Sequence, residues 1–289
     1  MFHGSIVALV TPFKSNFDVD FDAYARLVDF HLENGTDGIV PCGCTGEAAT
    51  LSHDEQKQCI QFVVERVAGK VPVIAGAGSN NTREAINLTA FSKEVGADAA
   101  LLITPYYNKP TPAGQIAHYT TIAAKVDIPI ILYNVPGRTG TKMLPETVAE
   151  LNKIDNIVAI KEACGSVDQV SQILGLCDIT VVSGDDSLTL PMMAVGATGV
   201  ISVAANVVPD RMAGLCAAAA KGDLDTARRI HFELLPLFKG LFFETNPMPA
   251  KATLAKMGLI ENVLRLPLTP ALPETEAKMS PILKVLGII

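Results

Sequence analysis

Short runs of apolar, often β-branched residues alternate along this chain with longer stretches whose apolar positions recur every three or four residues. The short runs are SIVALVTP (5–12), GIVPCGCT (38–45), VPVIAGAG (71–78), AALLITPYY (99–107), IPIILYNVP (128–136), IVAIKEA (157–163), ITVVSGDD (179–186) and TGVISVAAN (198–206). Their apolar residues are largely consecutive, the pattern of strands covered on both faces. Their starts lie roughly twenty to thirty-three residues apart, room for one strand, one helix and two loops each time.

The stretches between them read as helices. DFDAYARLVDFHLENG places Tyr24, Leu27, Val28 and His31/Leu32 on one face and stops at Asn34-Gly35. LSHDEQKQCIQFVVERVAG opens with Ser52 and Glu55 at capping-box spacing and closes at Gly69. TREAINLTAFSKEVGAD and TPAGQIAHYTTIAAKVD follow the same plan. Eight such βα units predict an α/β fold: a closed (β/α)8 TIM barrel over residues 1–224. The alternative is an open doubly wound sheet, but no G-x-G-x-x-G follows the first strand, and GAGSNN (76–81) reads as a tight βα loop. After about residue 224 the strand pattern stops. DLDTARRIHFELLPLFKGLFF, MPAKATLAKMGL and TEAKMSPILKVLG predict a three-helix appendage over 225–289, packed on the barrel.

Composition narrows the choice of function. Hydrophobic residues at 49% and charged residues at 18% suit a large buried core. A formal net charge of −7, with no basic run, argues against nucleic acid or an anionic membrane as partner. The N-terminal MFHGSIVALVTPFKS has no basic leader and reads as a strand. No stretch reaches the roughly 18 apolar residues of a membrane span. Cysteines 42, 44, 59, 164, 177 and 216 lack disulfide or zinc spacing, so reduced thiols in the cytoplasm are expected.

In such a barrel the chemistry lies where the strands end. Read in order, those ends bring Thr11, then Cys44 to Glu47, Gly76 to Ser79, Thr104 to Tyr107, Tyr133-Asn134, Lys161-Glu162, Gly184 to Asp186, and Ala204 to Asn206. None of the five histidines falls among them, which sets aside a metal hydrolase. Lys161 is the sharp feature. Walled by Ile, Val and Ala, it loses solvation, which favours the neutral, nucleophilic amine. The plain alternative is a structural ion pair with Asp185 or Glu47. Tyr133 ends the preceding strand, where its phenol either reaches a group held on Lys161 or merely lines the barrel.

GCTGE, TPYYNKP, YNVPGRTG, IKEACG and SGDD, in that order at strand ends, resemble the pyruvate-dependent Schiff-base aldolases, most closely the dihydrodipicolinate synthase branch. The similarity extends from GSIVALVTPF to NPMPAKATLAKMGL, nearly the whole chain. It implies that Lys161 forms a Schiff base with pyruvate, whose enamine attacks L-aspartate 4-semialdehyde to give 4-hydroxy-tetrahydrodipicolinate. Tyr133 would shuttle protons, and Tyr107 would complete the relay across a dimer interface of a dimer of dimers. Thr45 would hold the pyruvate carboxylate by its backbone amide, and Arg138 the carboxylate of the aldehyde. Gly184 and the Ile201 carbonyl would border the site. No cofactor and no metal are implied, since the lysine imine is the electron sink.

Two positions bear on how the resemblance applies. Cys44 stands where the family carries a hydroxyl residue linking the relay tyrosines. A thiol is the weaker hydrogen-bonder, so reduced activity is expected. Cys42 and Cys44 share strand parity, which predicts that both face the barrel interior. Ala49, His53, Asn80, Glu84 and Tyr106 match the family's feedback site for L-lysine; alternatively His53 and Glu84 only decorate helix N-termini. Two rival functions are a sugar-acid or N-acetylneuraminate lyase using the same Lys161 and Tyr133, and a non-catalytic barrel that binds a keto acid. Arg138 and the Tyr106-Tyr107 pair favour the synthase over the lyase.

Overall fold

The computed structural model describes residues 2–289. Among them, eight parallel strands form one sheet: β1 (Gly4–Ala8), β2 (Gly38–Val40), β3 (Ile74–Gly76), β4 (Ala99–Ile103), β5 (Ile130–Asn134), β6 (Ile157–Glu162), β7 (Thr180–Ser183) and β8 (Gly199–Ser202). Hydrogen-bonded neighbours run β2-β1-β8-β7-β6-β5-β4-β3. The two ends of that order meet. Ile39 bridges Val73, the Ile39 N–H donates to the Pro72 carbonyl at 3.0 Å, and the Gly76 N–H donates to Pro41 at 3.0 Å. The sheet therefore closes into the expected barrel, which leaves no free edge.

Helices lie between the strands, and their caps follow the sequence signals. Ser52 and Glu55 form a complete capping box, while Asp20, Asn81 and Thr111 each accept a backbone N–H at a helix start. The helix Phe21–Glu33 buries Ala23, Tyr24, Leu27, Val28 and His31 against the barrel, with Leu32 half-buried beside them. Inside the barrel, Ile6, Val40, Ile74, Leu101, Ile131, Val182 and Ile201 pack together, and Phe2 joins them. The three C-terminal stretches form helices Leu224–Gly240, Met248–Lys256 and Pro273–Val285. Among the described residues no helix is long and apolar enough to cross a membrane.

The strands are shorter than the apolar runs that announced them, because the end of each run turns into loop. The run 38–45 is strand only over Gly38–Val40; Cys42 then adopts φ +56° and Glu47 φ +52°. Strand parity does not survive that turn. Cys42 packs outward with Cys59 and donates to the Gln56 carbonyl at 3.6 Å, whereas Cys44 alone joins the barrel interior, which corrects the expectation that both thiols face inward.

Candidate active site

Lys161 faces the barrel interior because of a one-residue irregularity in β6. Ile130 pairs with Ile157, yet Ile131 pairs with Ala159, so Val158 is the extra residue of a bulge. Ile157 packs outward with the helices. Simple alternation from there would turn Lys161 outward as well. With Val158 inserted, Ala159 points inward, Ile160 outward, and Lys161 stands beside inward-facing Tyr133 in the next register pair.

The lysine is 6% exposed, and its Nζ lies 4.3 Å from the centroid of the Tyr133 ring. Burial pulls its ammonium down to about 8, with Cys44 and Asp186 opposing that pull and Arg138 adding to it. Its ion-pair alternatives are engaged elsewhere. Glu47 binds Lys251, and Asp185 accepts from the Ser187 N–H and hydroxyl. Among the described residues, no carboxylate oxygen lies within ion-pair distance of Lys161. Burial, and next the Cys44 thiol, push the Tyr133 phenol well above its ordinary value, so it stays protonated at neutral pH. Gly184 presses on the lysine stem. A Cβ placed there would sit 2.9 Å from Lys161 Cε and 2.7 Å from the Ala163 methyl, so a glycine is required by contact. Ile201 is fully buried in the same interior cluster as Tyr133.

Glu162, the next residue, points outward and pins the strand end. Its buried carboxylate accepts from Asn134 Nδ2 at 3.0 Å, Gln169 Nε2 at 3.0 Å and the Cys164 N–H at 2.9 Å. Asn134 also binds both backbone groups of Met143, tying down the segment after the short helix Pro136–Thr139 that carries Arg138.

A cavity of about 460 Å³ opens at Tyr133, lined there also by Cys44, Arg138 and Asn246; Lys161 meets it through the Tyr133 ring and is not itself part of the lining. Thr45 is buried, and among the described residues its N–H donates to no protein acceptor. Its Oγ1 accepts from Asn246 Nδ2 at 2.9 Å, and the Asn246 carbonyl accepts from Arg138 Nη2 at 3.0 Å. Asn246 thus joins two predicted binding residues, and the sequence reading missed it. The only sequence signal was the NPMPAK stretch, which is 201 positions from Thr45 and shows no periodic relation to it.

The same cavity runs on to Ala49, His53, Glu84 and Tyr106. His53 Nε2 lies 3.9 Å from a Glu84 oxygen, Ser79 donates to Glu84 at 2.8 Å, and Asn80 Nδ2 donates to the Tyr106 carbonyl at 3.2 Å. These predicted residues therefore gather together. Tyr107 does not join them. It is 89% exposed, stands at φ +69°, and is absent from the cavity lining. Among the described residues, no three His, Cys, Asp or Glu side chains converge as a metal-binding group.

Known proteins resemble this chain along its whole length. The profile described as "Dihydrodipicolinate synthetase family" matches residues 1–286. The 4-hydroxy-tetrahydrodipicolinate synthase of Geobacter sulfurreducens is 55% identical over 291 residues, covering 100% of each chain. The crystal structure of dihydrodipicolinate synthase from Aquifex aeolicus is 51% identical, covers 99% of each chain and superposes with a TM-score of 0.98. The enzyme from Cyanidioschyzon merolae, solved with lysine bound, is 41% identical over 100% of this chain and 99% of its own, with a TM-score of 0.96. With the family profile spanning almost every residue and the barrel superposing on its members, this chain belongs to the dihydrodipicolinate synthetase family.

Proposed function

We infer that this chain condenses pyruvate with L-aspartate 4-semialdehyde to give 4-hydroxy-tetrahydrodipicolinate, a step of lysine and diaminopimelate biosynthesis. The observation that carries the reading is Lys161, a buried amine without a carboxylate partner, stacked on Tyr133 beside a cavity rimmed by Arg138. The neutral Lys161 amine adds to the keto carbon of pyruvate, and the carbinolamine loses water to form an imine. Loss of a methyl proton gives the enamine, which attacks the aldehyde carbon. The substrate's own amine then displaces Lys161 and closes the ring. Tyr133, protonated at neutral pH and in contact with the lysine, is placed to move protons at the carbinolamine and aldehyde oxygens.

The free Thr45 N–H suits the pyruvate carboxylate, and the exposed Arg138 fork suits the carboxylate of the aldehyde. Cys44 lines the cavity together with Tyr133 and takes the place of the relay hydroxyl. Gly184 and Ile201 border the lysine. The exposed Tyr107, on a loop with left-handed backbone at both Tyr107 and Lys109, is suited to enter the site of a second copy, in a dimer of dimers. The end of the cavity at Ala49, His53, Glu84 and Tyr106, with Asn80 bonded to the Tyr106 carbonyl beside it, offers acceptors and donors for an amino-acid zwitterion, which supports L-lysine as a feedback inhibitor. The reacting groups sit on the barrel over 1–224, the helices over 225–289 brace it, and the enzyme works in the cytoplasm. Incubation with pyruvate and L-aspartate 4-semialdehyde should yield the cyclic product by mass spectrometry. A folded protein that consumes pyruvate only with a sugar aldehyde, or with none, would overturn the reading.

A further inference from the structure

A second lysine is buried near the same cavity, and the chemistry above does not use it. Lys251, on the helix Met248–Lys256, has a fully buried side chain. Its Nζ donates to Glu47 Oε1 at 2.6 Å and to the Thr11 carbonyl at 2.9 Å, and lies 4.3 Å from the Phe13 ring centroid. Glu47 ends the GCTGE segment at φ +52°, a left-handed conformation that a residue with a side chain keeps only when its surroundings enforce it. Here they do. Its second oxygen accepts the Arg265 N–H at 3.2 Å, and the preceding Gly46 carbonyl accepts the Thr11 hydroxyl at 2.7 Å. Arg265 is itself clamped on Glu55 and on the Thr50 and Phe17 carbonyls. The loop bearing Thr45 is thus anchored just beyond Thr45 to Thr11, in the loop after β1, and to two C-terminal segments.

We propose that Lys251 is a positioning residue: through its ion pair with Glu47 it holds the 43–47 loop so that the Thr45 amide faces the pyruvate carboxylate. This rests on the reading that Thr45 binds that carboxylate; Lys251 itself touches no reactant. Its ammonium has a carboxylate, a carbonyl and an aromatic face around it, which leaves no room for a reaction partner. Methionine in its place would leave a buried carboxylate without a counter-charge, and the loop would relax to reach solvent or a donor.

The test is steady-state kinetics on the full chain carrying Lys251→Met, with pyruvate varied at saturating aldehyde, and borohydride trapping of pyruvate on wild type and variant. The expected result is a pyruvate KM raised about tenfold or more with kcat within about threefold. At saturating pyruvate the adduct should still map to Lys161. The double variant Glu47→Gln/Lys251→Met removes both charges and should regain thermal stability while its pyruvate KM stays high. This variant also decides the matter if Lys251→Met alone does not fold. An unchanged pyruvate KM in a folded variant, a fall in kcat alone, or a double variant with the wild-type KM would each overturn the proposal. Absence of a wild-type adduct on Lys161 would instead overturn the functional reading on which it rests.

Discussion

Two lysines are buried in this protein, Lys161 inside the barrel and Lys251 on a C-terminal helix, and burial pulls both ammonium groups down to about 8. They differ in what surrounds them. Lys251 has Glu47 at 2.6 Å and the Thr11 carbonyl at 2.9 Å. Lys161 has an aromatic ring, a glycine and a thiol, with no carboxylate within ion-pair distance among the described residues and Asp186 acting on it only at longer range. Burial therefore does not single out a nucleophile. The reactive lysine is the one whose neutral form leaves no partner stranded, and the structural lysine is the one whose loss would strand a carboxylate.

Removing each amine in turn separates the two lysines most strongly. Lys161→Met should lower kcat on the order of a thousandfold or more, since no other group can carry the imine. Its effect on stability should have the opposite sign to that of Lys251→Met. The folded Lys161 ammonium titrates near 8, below its unfolded value near 10.5, so the unfolded chain holds the proton more tightly. The resulting penalty is complete below about pH 8 and fades as pH rises towards 10.5. Lys161→Met should thus stabilise the fold at pH 7, by up to about 3 kcal/mol, and gain little at pH 10.5. Lys251→Met should destabilise by roughly 3–5 kcal/mol, because Glu47 stays buried without its partner. Thermal melts at the two pH values check both signs.

Next in size is Tyr133→Phe, which keeps the ring over Lys161 and removes only the proton carrier. The expected loss in kcat is roughly a hundred- to ten-thousandfold, with the pyruvate adduct still forming slowly. The pH dependence follows. Imine formation should rise about tenfold per pH unit as Lys161 deprotonates and level off above about 8, measured by quenched borohydride trapping. The smallest effect is Cys44→Thr, which should raise kcat a few fold by restoring a better hydrogen-bonder beside Tyr133. Unchanged kinetics there would show that the relay does not use this atom.

The eight apolar runs announced the barrel, and Ser52 with Glu55 announced a helix start to the residue, because caps and both-face-apolar strands are local patterns. The side on which a strand residue faces was not legible in the same way. In IVAIKE the four residues before Lys161 are all apolar, so the Val158 bulge that turns Lys161 inward leaves no mark on the pattern. The parity drawn through Cys42 and Cys44 failed for a related reason: β2 ends at Val40, before either thiol. Contacts made at long sequence range were equally hidden. Asn246 on Thr45 and Lys251 on Glu47 join positions more than 200 residues apart, and only the closed barrel brings them together. The motifs that carry the resemblance bring Tyr133 and Arg138 to one cavity, with Lys161 against the Tyr133 ring, whereas Tyr107 stands outside it in the single chain.

The distinction between the two lysines is tested most directly by incubating the protein with pyruvate and borohydride and mapping the reduced adduct to its peptide. The expected outcome is one adduct, on Lys161. An adduct on Lys251, or none on a folded protein, would contradict the assignment of Lys161 as the imine-forming amine.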